Sequence, residues 1–355
     1  MKKALIILFT TIILGMLILT SLVVIIDPFF HYHKVIKNHY PRFYNEIYQD
    51  PGMALNFDYD SVIIGSSMTE NFHVSSLHEY GVNPVKLSYS GGSTKDISTL
   101  LNLAFSSGND IKYVYIDLND YQLCADKDYV FTDIPSYLYD KNVLTDIQYI
   151  FNKDVIHECL MELRDDLSYS LFKKDLESSV EEIIDRAFTW EDEDLFGIEK
   201  VLEDLDSTHI DQAWIADNSI ASIEALNNVP LNMENIISIV RKHPDTKFFI
   251  YYPPYSAAYW YDIHRQGVID AKIDMLRISM ESLLDLDNVD IYMFMDDYED
   301  IVMLDSYRDI CHFNPYMNEY MLKCMQTGDF KIDKDNYIHR LSELKKFANE
   351  YKIEQ

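Results

Sequence analysis

Two short motifs, far apart in the chain, carry residue types that work together in nucleophilic catalysis. Ser67 ends a Gly-Ser-Ser turn between a short apolar run and a helix-compatible stretch. A serine in such a turn is held exposed, and its backbone N–H lies where a helix N-terminus can stabilise an oxyanion. Near the other end of the chain, Asp309 precedes His312 by three residues. That separation lets a carboxylate fix the imidazole tautomer while the second ring nitrogen faces a nucleophile.

Each motif alone also has a purely structural interpretation. Serines are ordinary helix N-caps, and Ser66 rivals Ser67 as the exposed hydroxyl. A local turn or cap would equally bring Asp309 close to His312. The chemistry therefore depends on the elements that would bring the two motifs together.

The elements around Ser67 alternate between strand and helix patterns. Short β-branched runs predict strands at Ser61–Ile64, Pro84–Ser88 and Tyr113–Ile116. A helix is predicted at Lys95–Ser107, between the second and third strands. This order predicts a parallel α/β sheet, in which ligands bind at the carboxyl ends of the strands. The polar loops that follow the three strands are therefore expected to meet in one site.

Four motifs, taken in chain order, resemble those of the SGNH/GDSL hydrolase superfamily. They are Gly-Ser-Ser67, Ser90-Gly91-Gly92, Asp117-Leu118-Asn119-Asp120 and Asp309-x-x-His312. The corresponding blocks of the superfamily are a Gly-Asp-Ser turn, an isolated Gly, a Gly-x-Asn-Asp turn and a late Asp-x-x-His. The resemblance covers roughly residues 58–325 and implies a three-layer, flavodoxin-like SGNH fold with a parallel sheet.

The resemblance also implies a role for each residue. Ser67 would be the nucleophile, His312 the base and Asp309 the carboxylate that orients it. The backbone N–H of Gly91 and the side-chain amide of Asn119 would form the oxyanion hole.

Alternatives remain open at several of these positions. Gly92 is the other candidate donor, and either glycine can be present only because its turn needs a positive φ. Asn119 can instead form an Asx turn at the end of a strand. Tyr255 and Trp260 are candidates to line a substrate groove, with an ordinary aromatic helix face as the alternative.

The chain departs from the superfamily pattern at two positions. Ser66 stands where Asp is common, and Asp117 stands where Gly is common. Gly-Ser-Ser starts do occur in the membrane-anchored branch, and the chain resembles proteins of that branch that act in lipoteichoic acid D-alanylation and alginate-type polysaccharide O-acetylation. That branch implies modification of a cell-envelope glycopolymer.

The first segment predicts a membrane anchor. Ala4–Ile26 is an unbroken run of apolar or small uncharged residues behind Lys2 and Lys3, long enough to cross a bilayer as a helix. A cleaved signal peptide would show a shorter run and an A-x-A-like site. Basic residues between positions 34 and 42 compete with the two N-terminal lysines. We favour a single-pass protein of the cell membrane with a cytoplasmic N-terminus and an extracytoplasmic body.

The composition limits the classes of partner and ligand that the protein is expected to bind. The chain of 355 residues has 30 Lys and Arg against 59 Asp and Glu, a net charge of −29 that disfavours nucleic acid. The four cysteines form no C-x-x-C pair and show no zinc-ligand spacing, so no metal or cofactor is predicted and disulfides stay open. His31 and His33 could form a metal-binding pair, but an interfacial aromatic collar is favoured.

The predicted organisation has four parts. These are an anchor at 1–26, a juxtamembrane connector at 27–57, an α/β domain at 58–325 with a helical insertion at about 137–243, and a helical tail at 326–355. After the insertion, strands are predicted at Lys247–Tyr252 and Asn288–Phe294, with a helix near Val268–Leu284 between them.

The function that follows is acyl transfer through an acyl-serine. The chain would be an O-acyltransferase or acylesterase acting on hydroxyl groups of an envelope glycopolymer, with a multi-spanning membrane acyltransferase as donor partner by analogy. The departures at Ser66 and Asp117 motivate an alternative, a catalytically inactive SGNH-like binding or assembly subunit. An inverted orientation would instead make it a cytoplasm-facing protein of unrelated function. The sequence names neither the acyl group nor the polymer.

Overall fold

The computed structural model describes residues 2–37, 39–140, 142–172, 182–206 and 212–353. Several parts of the predicted organisation lie outside the described residues: position 1 of the anchor, position 38 of the connector, positions 141, 173–181 and 207–211 of the insertion, and positions 354–355 of the tail.

In the described residues, six strands form one sheet. They are β1 Ser61–Gly65, β2 Pro84–Ser88, β3 Tyr113–Asp117, β4 Lys247–Tyr252, β5 Val289–Met293 and β6 Lys331–Ile332. Their spatial order is β2-β1-β3-β4-β5-β6, and all neighbours are parallel except β5 and β6. The prediction of an α/β chain with a largely parallel sheet is confirmed. The antiparallel edge strand β6 was not predicted.

Helices surround the strands. In chain order they are α1 Lys2–Ile26, α2 Glu46–Asn56, α3 Ser75–His78, α4 Thr94–Phe105, α5 Asp120–Cys124, α6 Ile147–Ile150, α7 Lys153–Phe172, α8 Ile198–Asp206, α9 Gln212–Ala225, α10 Val229–Lys242, α11 Ala257–Arg265, α12 Ile269–Leu283, α13 Pro315–Thr327 and α14 Tyr337–Glu350.

Helices pack on both faces of the sheet, which explains why β1 and β2 are uninterrupted buried runs. On one face, the hydroxyl of Tyr252 in β4 lies 2.6 Å from that of Ser279 in α12. On the other face, Tyr115 in β3 accepts a 3.1 Å hydrogen bond from Gln326 in α13. The loops at the carboxyl ends of the parallel strands are left between these two helix layers.

Two segments predicted to lie outside the α/β core contribute to it. Helix α10 falls within the predicted insertion, yet Met233 and Ile236 on it are buried in the main core and the helix packs against α4. The tail helix α14 buries Leu341 and Leu344 and packs against α11 and α12.

Among the described residues, α1 is the one helix long and apolar enough to cross a membrane, judged by length and composition, and a signal sequence would meet the same criterion. Its C-terminal turns are packed against the body. Val23 and Ile26 are buried in a second hydrophobic cluster with Phe29 and Tyr149. The residues that follow α1 are therefore part of the folded body.

Candidate active site

Ser67 lies directly after β1, at the carboxyl edge of the sheet. It opens a single turn of 3₁₀ helix, Ser67–Thr69, and the side chain of Ser66 caps this turn by accepting the backbone N–H of Met68 at 3.3 Å. Ser66 is buried, whereas Ser67 is half-buried. The turn thus buries one hydroxyl and leaves the other within reach of a ligand.

The half-buried hydroxyl of Ser67 faces the histidine predicted from the distant motif. Oγ of Ser67 lies 2.8 Å from Nε2 of His312, and Nδ1 of His312 lies 2.7 Å from Oδ2 of Asp309. Oδ1 of Asp309 accepts the backbone N–H groups of Cys311 and His312, both at 2.8 Å. This arrangement favours the tautomer in which Nδ1 donates to Asp309 and Nε2 accepts the serine proton.

Electrostatics favour an ionised Asp309. Burial acts to raise the pKa of its carboxyl, but hydrogen bonds from His312 and from the backbone N–H of Cys311 outweigh burial and lower the pKa. A negative charge at this position stabilises the imidazolium that forms when His312 takes a proton.

The loop that carries His312 is held from several sides. Tyr307 and Phe313 form an antiparallel bridge that closes it, and the hydroxyl of Ser256 donates to the carbonyl of Ile310 at 2.7 Å. Asn71, which follows the Ser67 turn, donates to the carbonyl of Phe313 at 2.9 Å. These bonds explain how two motifs from opposite ends of the chain meet at one point.

Ser66, the rival serine, is paired with the other position that departs from the superfamily pattern. Its backbone N–H and its hydroxyl both donate to the carboxylate of Asp117, at 2.8 and 2.6 Å. Asp117 is fully buried, and burial raises its pKa, an effect that the hydrogen bonds from Ser66 and Asn119 only partly oppose. A Cβ on Gly65 would lie 1.8 Å from Oδ1 of Asp117, so only glycine leaves room for the carboxylate.

Asn119 joins this buried pair. Its amide nitrogen donates to the hydroxyl of Ser66 at 3.1 Å and to the carboxylate of Asp117 at 3.2 Å. Its amide oxygen accepts the backbone N–H of Gln122 at 3.0 Å and so caps α5. The Asx-type cap considered from the sequence is present, and the same side chain also contacts the turn that carries Ser67.

The two glycines after β2 differ in what their backbones do. Gly91 has φ +71° and its backbone packs against the ring of Phe131, where a Cβ would come within 2.7 Å of a ring carbon. Gly92 donates its N–H to the carbonyl of Tyr89 at 2.7 Å, within the turn. Of the two backbone N–H groups, that of Gly92 is therefore already engaged in a hydrogen bond within the protein.

The structure does not bring Tyr255 and Trp260 to an open groove. Their exposed fractions are 3% and 1%, and both belong to the main hydrophobic core. They are buried because α11 packs against α8 and α14. Beside them, Tyr259 donates to Asp120 at 2.8 Å, and Asp120 also pairs with Lys272. Through its bond to Asp120, Tyr259 supports the loop that follows β3.

The aromatic side chain beside the candidate triad is instead Trp190, which was not predicted. Its ring lies edge-on to His312 with centroids 5.1 Å apart, and the guanidinium of Arg308 stacks over it at 4.9 Å. Asn71 accepts the backbone N–H of Trp190 at 2.7 Å. Trp190 comes from the predicted helical insertion, and no local sequence pattern distinguishes it from other surface aromatics.

A buried carboxyl, Glu70, also lies near the site and was not singled out from the sequence. Burial raises its pKa to about 7, while a hydrogen bond with Ser90 and the nearby His312 act to lower it. The ammonium of Lys86 donates to the backbone carbonyl of Glu70 at 2.6 Å, and burial lowers the pKa of Lys86 to about 7. A buried carboxyl with a raised pKa therefore lies close to His312.

Other residues considered from the sequence have protein partners. His31 lies 3.3 Å from Asp146, and His33 contacts the backbone carbonyls of Val24 and Lys34. Within the described ranges, no group of three His, Cys, Asp or Glu side chains is arranged to hold a metal ion. The four cysteines, all in described segments, are free thiols.

Comparisons with known proteins add little to this geometry. No protein-family model matches the chain, and no curated protein matches it significantly. A solved structure that aligns with it is that of a proposed platelet activating factor from Streptococcus pneumonia. The two chains are 12% identical, and the alignment covers 80% of this chain and 91% of the other with a TM-score of 0.40. A likeness at this level carries no argument about activity.

Proposed function

We propose that this protein is a membrane-anchored acyl-transfer enzyme of the SGNH type, an O-acyltransferase or acylesterase that acts on hydroxyl groups of a cell-envelope glycopolymer. The observation that carries the proposal is the chain of hydrogen bonds from Ser67 through His312 to Asp309, with distances of 2.8 and 2.7 Å. Such a chain supports a serine activated by a neighbouring base, which is itself oriented by a carboxylate.

The reaction would proceed through an acyl-serine. His312 Nε2 takes the hydroxyl proton as Ser67 Oγ attacks an ester carbonyl, and the oxyanion is held by backbone N–H groups at Ser67 and Gly91. The Asn119 amide would join them by turning one N–H away from Ser66 or Asp117. His312 then returns the proton to the departing alkoxide as the carbon–oxygen bond of the ester breaks. A second hydroxyl, from water or the acceptor, then attacks the acyl carbonyl as His312 takes its proton. The bond between Ser67 Oγ and the acyl carbon breaks as His312 returns that proton to Oγ, which frees the acylated product and restores the serine.

Two contacts support catalysis over the alternative of an inactive binding subunit. That alternative was motivated by Ser66 and Asp117, and these residues bond directly to each other, so the buried carboxylate still supports the turn that carries Ser67. The anchor α1 and the branch resemblance support an envelope substrate, and the acceptor class remains part of the proposal.

Purified full-length protein in detergent micelles tests the proposal. It should release nitrophenol from a nitrophenyl acetyl ester and be labelled by a serine-directed fluorophosphonate, and Ser67→Ala should abolish both. Ser106→Ala is the matched control, because Ser106 is exposed at the end of α4. A wild-type protein that neither hydrolyses the ester nor takes the label would overturn the catalytic proposal.

A further inference from the structure

A short segment beside α1 presents apolar side chains to solvent. In the segment 143–151, the exposed fractions are 79% for Val143, 84% for Leu144 and 59% for Ile147, and Phe151 is also exposed. Single exposed apolar residues are ordinary, but a group within nine consecutive positions on a soluble surface is not. The segment comprises a turn followed by the short helix α6.

The same segment exposes almost no charge. One residue in four of the whole chain is Asp, Glu, Lys or Arg, and the net charge is −29. Within 143–151 the sole charged residue, Asp146, is buried and lies 3.3 Å from His31. Because this surface exposes no carboxylate, it can enter an apolar phase at a lower desolvation cost than the rest of so acidic a body.

The inner face of the segment is fixed to the end of α1. Tyr149 is buried against Phe29, with ring centroids 5.8 Å apart, and its hydroxyl donates to Asp27 at 2.8 Å. Leu19 and Leu22, in the last two turns of α1, pack against the cluster that contains Tyr149. The segment is therefore held alongside the final turns of the apolar helix.

The length of α1 sets the depth of that contact. Its 25 residues make a helix of about 37 Å, whereas the hydrocarbon core of a bilayer is about 30 Å thick. If α1 enters the membrane behind Lys2 and Lys3, Leu19 and Leu22 lie at the far edge of the hydrocarbon. Whatever packs beside them lies at the same level.

We infer that the segment 143–151 inserts Val143, Leu144 and Ile147 into the outer interface of the lipid bilayer, as a second contact that fixes the tilt of the body on its anchor. This inference rests on the membrane anchorage included in the proposed function. The occupant of the surface is lipid, because the segment packs against the last turns of the apolar helix α1 and exposes apolar side chains without an exposed charge between positions 143 and 151.

Fluorescence quenching in nanodiscs with brominated lipid chains tests this inference on the full-length protein. Leu144→Trp should lose much of its added emission, and bromines near the carbonyl end of the chain should quench it more than bromines near the chain terminus. Val143→Trp is a second, independent probe. Ile338→Trp is the matched control, because Ile338 is also exposed but lies on α14. Its added emission should be unchanged.

A tryptophan within the anchor separates the two ways of failing. Ile12→Trp, at the middle of α1, should be quenched most by bromines near the chain terminus. If Ile12→Trp is quenched and both Leu144→Trp and Val143→Trp are not, the segment faces solvent or another protein, and the inference is overturned while the anchorage stands. If Ile12→Trp is not quenched either, the anchorage fails and the inference fails with it.

Discussion

The carboxylate of Asp117 binds both hydrogen-bond donors of Ser66, the backbone N–H at 2.8 Å and the hydroxyl at 2.6 Å. These residues occupy the two positions at which the sequence departs from the SGNH/GDSL pattern, where Asp is common at the first and Gly at the second. The carboxylate is thus supplied from the end of β3 rather than from the turn itself. We propose that the two departures are one exchange, in which a buried acid beside Ser67 comes from the end of β3 instead of from the turn.

Asp117→Asn should impair catalysis without unfolding the protein. The amide keeps the shape of the carboxylate, but its NH₂ group would face a donor of Ser66 or Asn119, and a hydrogen bond to a charged group would be lost. We expect kcat for the nitrophenyl ester to fall roughly ten- to hundredfold with a smaller change in KM. Asp110→Asn, at an exposed carboxylate just before β3, is the control. Equal rates for the two variants would contradict the assigned role.

The exchange itself can be reversed. Ser66→Asp alone would place two carboxylates in contact, and Asp117→Gly alone would leave the donors of Ser66 unpaired in a buried site. The double variant Ser66→Asp/Asp117→Gly restores one carboxylate and the superfamily pattern. We expect it to hydrolyse ester faster than either single variant, a coupling that a double-mutant cycle measures. Purely additive losses would show that the two positions are not exchanged partners.

Asp309→Asn should act through the tautomer of His312. The backbone N–H groups of Cys311 and His312 hold Oδ1 of Asp309, so an asparagine would keep its oxygen there and turn its NH₂ group towards Nδ1. The ring proton would then move to Nε2, which could no longer accept the proton of Ser67. We expect kcat to fall by about 10³ to 10⁴, measured by ester hydrolysis. Asp287→Asn, at an exposed position before β5, should keep full activity.

The parts of the fold that could be predicted have strong local signals. The runs that became β1 to β5 are short, apolar and bounded by turn residues, and the order of strands and helices requires parallel connections. Helix α2 was missed because Pro51 and Gly52 lie inside it. The glycine is needed there, since a Cβ at position 52 would come within 2.0 Å of the carbonyl oxygen of Phe29.

The site was predictable to the extent that its residues lie in motifs. Ser67 and the Asp309–His312 pair each had a local pattern, and the resemblance joined them. Trp190 had none, because its contact with His312 depends on how an irregular stretch of the chain packs against a loop distant in sequence. Aromatic composition also cannot separate a groove from a core, which is why Trp260 was considered as a ligand contact although it is buried.

Gly91→Ala should lower the stability of the fold for two separable reasons. Its φ of +71° strains any residue with a Cβ, and that Cβ would meet the Phe131 ring at 2.7 Å. Gly81 has φ +77° with open space around it, so Gly81→Ala carries the strain alone, about 1 kcal/mol. Gly91→Ala should lower the urea midpoint further, and Gly91→Ala/Phe131→Ala should recover the excess.

A pH-dependent contact should hold the connector to α7. His39 lies 2.8 Å from Asp166 and 3.0 Å from Glu162. Burial acts to lower the pKa of His39, but the two carboxylates outweigh it and raise the pKa to about 9, while burial raises the pKa of Glu162. A raised histidine pKa stabilises the fold below pH 6.5, its ordinary value, and this contribution is lost as pH rises towards 9.

Urea unfolding of the full-length protein in detergent, followed across that pH range, measures this effect. We expect the free energy of unfolding to fall from pH 6.5 to pH 9 by at most about 3 kcal/mol. The observed fall should be smaller than this limit, because His39 and Glu162 share a proton and the buried carboxyl of Glu162 has a raised pKa. His39→Gln should flatten the profile, because glutamine cannot carry the charge that both carboxylates require. His339→Gln, at an exposed position on α14, should leave the slope unchanged. A wild-type slope that survives His39→Gln would assign the pH dependence to other groups and leave the connector joined to α7 by uncharged contacts.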